Sequence, residues 1–298
     1  MKPLARILAA TDLSAPARHA VERGFRIAAA ARADYCVMHA LELDAMDALR
    51  AWLGDDLTNA KQKLEEQARE TLLQQLADPA RSHGVAAQTL IVAGTPLVRI
   101  VEQADALAAD LLVLGARGGD FLRHYLLGST ASRLLRKSRR QPVLIVKQAA
   151  HEAYRRALIP VDFSPLSVRA IELARQVAPG ADIVLLHAYE APFEGKLTYA
   201  GVEEAVIQQY RVAAREEALR NIRRIAMEAG LAIGDYSPLV VHGDPSLRVI
   251  EQEQERDCDL IVMGKHGASI TEDLLLGSVT KHVLEEAQSD VLVVCGAG

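Results

Sequence analysis

The chain has 298 residues, half of them hydrophobic but only 4% aromatic, with a formal net charge of -5 at pH 7. That length predicts two domains of ordinary size, with cores built mainly from Ala, Val, Leu and Ile. An acidic balance without a Lys/Arg cluster argues against a dedicated nucleic-acid binder. The lack of any long apolar run argues against a membrane span.

The apolar pattern alternates in type along the chain. A short strand over 7–10 leads into a helix over 14–32, with Ser14 as its N-cap and Pro16 in the first turn. A strand over 35–41 is apolar throughout, which suits burial on both faces. A polar crossover follows to about residue 56. One long charged helix is expected over 57–82, stopping at Gly84. A strand over 87–92, a helix over 96–108 capped by Thr95, a strand over 111–114, a helix over 129–137 and a strand over 143–146 complete the series. The series then repeats, with strands over 157–161, 183–188, 237–241, 260–263 and 291–294. Its helices are expected over 165–177, 202–229, 245–254 and 278–287.

The second series is a copy of the first. Arg6-Ile-Leu-Ala-Ala-Thr-Asp-Leu-Ser14 matches Arg156-Ala-Leu-Ile-Pro-Val-Asp-Phe-Ser164, and Met38-His-Ala-Leu-Glu42 matches Leu186-His-Ala-Tyr-Glu190. Gly94-Thr-Pro96 matches Gly243-Asp-Pro245, and Gly128-Ser129 matches Gly277-Ser278. The near-constant offset marks a domain duplication with units 1–149 and 150–298, joined by a short polar segment over 148–153. Alternating strands and helices mean an α/β fold with parallel strands and right-handed crossovers. Five strands per unit suggest two tandem doubly wound, Rossmann-like sheets. Such sheets take ligands beyond the carboxyl ends of the strands, where the winding reverses. A reversal between strands one and four would bring Asp12 to the loop over 115–129.

Cys36, Cys258 and Cys295 are odd in number and widely spaced, so they form neither a disulfide framework nor a zinc site. Cys36 and Cys295 fall inside apolar strand runs and are expected to be buried thiols. The opening residues lack the long apolar stretch of a secretory leader, which predicts a cytoplasmic protein.

Two loops carry the chemistry. Gly115, Gly118, Gly128 and Ser129 recur as Gly264, Gly267, Gly277 and Ser278. A glycine at the strand exit turns the chain and leaves the backbone bare. Gly118 or Gly267 at positive φ would expose consecutive N–H groups to an anion. Gly128-Ser129 and Gly277-Ser278 open helices whose free N–H groups suit phosphate, and the Ser hydroxyls with Thr130 or Thr280 add neutral donors. Neither the GxxxxGK[ST] phosphate loop nor the GxGxxG dinucleotide fingerprint occurs.

The Gly-x2-Gly-x9-Gly-Ser pattern resembles the universal stress protein family over essentially the whole chain. So do Asp12/Asp162 followed by Ser14/Ser164, and His39-Ala40/His187-Ala188. Ile159-Pro-Val-Asp-Phe-Ser164, Met263-Gly-Lys-His-Gly267 and Leu275-Leu-Gly-Ser-Val-Thr280 are similar to its ATP-binding branch. The resemblance implies two tandem domains of five parallel strands, related to the adenine nucleotide α-hydrolases. Each would bind ATP between strands one and four. It implies that Asp12 and Asp162 contact ribose, that Ala40 and Ala188 lie against adenine, and that the Gly and Ser residues hold phosphates. Pro160, Val161, Ala10, Thr11, Met263, Val279 and Thr130 complete the implied sites. The first unit departs from the second at Ala10-Thr11 and at Thr130. A cytoplasmic, nucleotide-dependent stress-response regulator is implied, as a pseudo-dimer within the chain, with a homodimer as the further assembly to expect.

Other residues have plainer readings. Asp12 and Asp162 could cap the first helix of each unit. His39 and His187 are expected to be packed and hydrogen-bonded. His124 and His266 lie in the Gly loops, within range of a phosphate. Arg117 and Lys265 are placed to screen phosphate charge, and Glu272-Asp273 could recruit Mg²⁺. No nucleophile elbow, metal-ligand spacing or general base is evident, so binding outranks catalysis. A slow Mg²⁺-dependent ATPase and a nucleotide-free scaffold are the alternatives.

Overall fold

The computed structural model describes residues 2–43, 46, 56–117, 127–189, 199, 202–267 and 276–296. Of the residues singled out above, Gly118, His124, Glu272 and Asp273 lie outside them. By its contacts the chain divides into two units, Met1–Ala153 with Asp290–Gly298, and Tyr154–Ser289.

The first unit begins β1 (Arg6–Ala10), α1 (Ala15–Ala31), β2 (Asp34–Leu41). It continues α2 (Asp56–Leu76), α3 (Pro79–Ser82), β3 (Ala87–Ala93), α4 (Pro96–Ala106), β4 (Leu111–Gly115), α5 (Ser129–Lys137) and β5 (Val143–Val146). The sheet order is β3-β2-β1-β4-β5, all parallel. Chain winding therefore reverses between β1 and β4, as anticipated, with Ala10 beside Leu114 at their carboxyl ends.

The second unit runs β6 (Arg156–Pro160), α6 (Pro165–Val177), β7 (Asp182–Tyr189), α7 (Glu204–Glu228), β8 (Tyr236–His242), α8 (Pro245–Glu255), β9 (Leu260–Gly264) and α9 (Ser278–Glu286). Its parallel order, β9-β6-β7-β8, reproduces the first unit from β4 to β3. The last strand, β10 (Asp290–Val294), ends the second series in sequence but groups with the first unit. It pairs antiparallel with β5, Val291 opposite Ile145 and Val293 opposite Val143. Every residue of both strands is buried. An uncovered row of backbone donors and acceptors between such apolar faces would invite pairing with another chain, and β5–β10 pairing satisfies them within this one.

Local chemistry explains where expectation and structure part. The helix expected over 57–82 breaks at residue 77. Pro79 has no N–H to continue the ladder and disfavours helical backbone before it, so Asp78 caps a new turn by accepting from Ala80 N at 3.0 Å. Thr95 occupies the N-cap of α4 without a side-chain bond, whereas its counterpart Asp244 accepts from Ser246 N and Leu247 N. The polar segment after β5 is held against the first unit. Arg23 Nη1 donates to Glu152 O at 2.7 Å, and Arg26 Nε donates to Ala150 O at 2.7 Å. Asp290 is fully buried. It accepts from Lys147 N and Gln148 N on Oδ1, and Oδ2 lies 3.3 Å from Arg23 Nε. All three cysteines are free and buried, and burial pushes the thiols of Cys36 and Cys258 up to about 11, which keeps them protonated.

Candidate functional site

Each site starts at the turn leaving the first strand of its unit. Leu13 (φ 66) and Phe163 (φ 64) both take left-handed backbone, at a cost of about 1 kcal/mol for a non-glycine residue. The bend turns the flanking aspartate back over the start of the helix. Asp12 Oδ1 accepts from Ser14 N at 3.0 Å, and Asp162 Oδ1 from Ser164 N at 3.0 Å. The N-caps are therefore Ser14 and Ser164, and neither aspartate occupies that position. Ser14 Oγ accepts from Ala17 N. Ser164 Oγ makes no cap bond and donates to Asp162 Oδ1 at 2.6 Å.

A histidine from the second strand braces this turn. His39 Nδ1 donates to Thr11 O and His187 Nδ1 to Val161 O, each at 2.8 Å. A carbonyl can only accept, so the proton sits on Nδ1 in both rings. Phe163 lies over His187 with ring centroids 4.3 Å apart. Burial lowers the His187 pKa from 6.5, outweighing the Val161 bond and the Asp162 charge that raise it. The neutral ring is thus favoured in the folded state. This contribution to stability is full above pH 6.5. It declines on acidification, as the unfolded chain takes up a proton that the folded chain resists. Thermal melts from pH 8 to pH 5 should show an acid limb that is shallower in His187→Gln; identical limbs would refute this assignment.

The opposite wall is the exit of the fourth strand. A Cβ on Gly115 would stand 3.2 Å from Arg117 O, and one on Gly264 would stand 3.1 Å from Leu166 Cβ. Gly128 N donates to Ala116 O and Gly277 N to Lys265 O, so each helix start is tied back to its strand exit. The first N–H groups of α5 and α9 have no partner within their helices, and the helix dipole adds a partial positive charge there.

These walls enclose a cavity of about 260 Å³ in the first unit and one of about 240 Å³ in the second. Asp12, Gly115, Arg117, Gly128, Ser129 and Thr130 line the first, together with Ala10, Thr11 and Ala40. In the second, Pro160, Val161, Asp162, Ser164 and Ala188 face Met263, Gly264, His266, Gly267, Gly277, Ser278, Val279 and Thr280. The anticipated juxtaposition of strand-one aspartate and glycine loop holds in both.

Four expectations change. Lys265 does not line its cavity and is only 2% exposed. Counted from Gly115 and Gly264, Lys265 stands where the buried Ala116 does, and Arg117 corresponds to His266, each of which lines its cavity. Gly267 is not at positive φ. Its bareness serves close approach, since a Cβ there would sit 3.3 Å from Asp162 Oδ2. The Thr280 hydroxyl donates to Gly264 O at 2.9 Å, so its proton is committed to the backbone. Ser14 does not line the first cavity.

Sequence reasoning missed a contributing wall. Pro96 and Ile100 of α4, and Pro245 and Val249 of α8, line the cavities. The repeated Gly-x-Pro was the available signal. Gly94 (φ 127) and Gly243 (φ 129) turn the chain from the third strand into these helices. Arg99 and Arg248 then fasten each turn by donating to the carbonyls of Ala93 and His242. Leu186, His187 and Ser167 in the second unit, and Met38, Leu114, Ala17 and Ala131 in the first, line the cavities as well.

Known proteins share this design. The universal stress protein family matches the chain twice, at residues 4–147 and 153–294. A universal stress protein of Mycolicibacterium smegmatis is 28% identical over 304 residues, covering 97% of this chain and 96% of its own. Universal stress protein MJ0531 of Methanocaldococcus jannaschii is 32% identical over 144 residues, covering 47% of this chain and 82% of its own. The crystal structure of a universal stress protein from Archaeoglobus fulgidus superposes with a TM-score of 0.70 at 22% identity, covering 98% of each chain, and so shares the fold. With two matched copies of the family's domain, each built around a strand-one aspartate and a glycine loop, the chain belongs to the universal stress protein family as a tandem member.

Proposed function

We propose that both cavities bind an adenine nucleotide, ATP in the first instance, and that the protein is a nucleotide-dependent stress-response regulator of the cytoplasm. One observation carries this reading: in each unit the strand-one aspartate and a glycine-flanked helix N-terminus line one cavity at the reversal of the sheet. The residues suit such a ligand. A carboxylate accepts from the hydroxyls of a ribose. Ala188, Met263 and Val249, or Ala40, Leu114 and Ile100, supply an apolar wall for a base. Backbone N–H groups at the start of α5 and α9, beside Ser129 and Ser278, suit phosphates. Among the described residues, Arg117 adds a cation to the first site, where the second has His266.

Bound ATP would bring Mg²⁺ by its own phosphate chemistry. A homodimer belongs to this proposal as a state in which nucleotide occupancy could be read. Native mass spectrometry of the purified chain, followed by calorimetric titration with Mg-ATP, tests the reading. The expected result is two adenine nucleotides per chain, one for each cavity. A chain that carries none, binds none, and gains no thermal stability from ATP would overturn it. A ligand at about 100 times its Kd should add about 2.7 kcal/mol per site.

A further inference from the structure

The two cavities differ beneath the aspartate. Ser167, in the first turn of α6, is 3% exposed and lines the second cavity. Its hydroxyl donates to Asp162 Oδ1 at 2.7 Å and accepts from Asp162 N at 3.0 Å. Counted from the capping serines, its counterpart in the first unit is Ala17, which has no hydroxyl and also lines its cavity. A hydroxyl bonded to both the backbone and the side chain of one residue limits that residue's χ1. Ser164 N and Ser164 Oγ donate to the same Oδ1. Three donors fill the accepting capacity of that oxygen. They also turn Oδ2 toward the β9 exit, where a Cβ on Gly267 would approach it to 3.3 Å. The carboxylate is thus held in one orientation, with a defined oxygen facing the ligand space.

We propose that Ser167 is a positioning residue that presets Asp162 for a vicinal diol, making the second site the tighter and more ribose-selective of the two. This inference rests on the nucleotide-binding reading above. Preorganisation raises affinity by removing the ordering cost from the binding step. A charge-assisted bond to a carboxylate is among the stronger hydrogen bonds. Ser167→Ala makes the second site resemble the first, and Ala17→Ser supplies the missing hydroxyl to the first.

Calorimetric titration of the full chain, fitted as two classes of site, tests this with two ligands, Mg-ATP and Mg-2′,3′-dideoxy-ATP. The parent should show one site about 10-fold tighter for ATP, with the preference lost for the dideoxy compound. Ser167→Ala should weaken the tight class about 10-fold for ATP and less than about 2-fold for dideoxy-ATP. Ala17→Ser should tighten the weak class for ATP alone. Equal losses for the two ligands would mean that Ser167 only supports the fold, and unchanged ATP affinity would mean that it does nothing for the diol. Either result overturns the proposal while leaving nucleotide binding intact. A parent chain that binds neither ligand overturns the nucleotide reading itself, and this inference with it. Melting curves of each variant confirm that folded protein is being titrated.

Discussion

Gly277→Val is expected to abolish nucleotide binding in the second unit and leave the first unit's site in place. A Cβ at residue 277 would stand 3.2 Å from His266 Cα and 3.5 Å from Lys265 O. Both are backbone atoms, and Gly277 N is bonded to that same Lys265 carbonyl. Neither can yield without parting the strand exit from the start of α9. Valine also brings two branches into the space before the first free N–H groups, where the phosphates would lie. We expect affinity at this site to fall at least 100-fold, about 2.8 kcal/mol, with calorimetric stoichiometry dropping from two to one. Gly128→Val should do the same to the first site, since a Cβ there would stand 3.2 Å from Ala116 O. Unchanged stoichiometry in both variants, with normal melting curves, would show that the helix N-termini are not the phosphate positions.

The largest expected effect on stability comes from a buried ion pair that lines neither cavity. Asp290→Ala should destabilise the protein by about 3–5 kcal/mol, because it removes at once the carboxylate facing the buried Arg23 guanidinium and the acceptor of two backbone N–H groups. At about 2–4 °C per kcal/mol for a unit of this size, the melting temperature should fall by about 10 °C. Lys2→Ala is the contrast. Lys2 pairs with Asp110 at 2.6 Å, but its side chain is 73% exposed. Water and salt screen such a pair, and its removal should cost less than about 1 kcal/mol. Arg23→Leu combined with Asp290→Leu should recover only part of the loss, since Lys147 N and Gln148 N stay without their acceptor. Equal effects for Lys2→Ala and Asp290→Ala would refute the claim that burial sets the difference.

Much of the architecture was legible because it rests on short-range rules. Alternating strand and helix periods, with Ser14, Pro16 and the Gly-x-Pro turns at the junctions, announce βα units wherever they occur. The duplication then made weak glycine patterns strong, since the same chance spacing has no reason to recur beside Asp12 and Asp162. Lys265 shows where local reasoning stops. Beside a glycine loop its charge suggested a phosphate partner. The bend leaving β9 instead put it on the buried side, where Ala116 sits in the first unit. Thr280 lines the cavity, but its hydroxyl donates to the Gly264 carbonyl sixteen residues back, a partner that adjacent residues do not announce. Asp290 was invisible as an anchor. Its partners, Arg23 and the main chain at Lys147 and Gln148, lie more than a hundred residues away in sequence.

By itself, then, the sequence determined the fold class and the twofold repeat, which follow from periodicity and from short matching motifs. That the strand-one aspartate and the glycine loop of each unit meet at one cavity needed the strand order, with β1 beside β4 and β6 beside β9. Only the tertiary structure decided which side chains face the cavities, that α4 and α8 close them, and that Ser167 clamps one aspartate where Ala17 cannot clamp the other. It also decided that β10 returns to pair with β5. Those outcomes depend on register and long-range packing, where a one-residue step reverses a side chain and a distant strand supplies the partner.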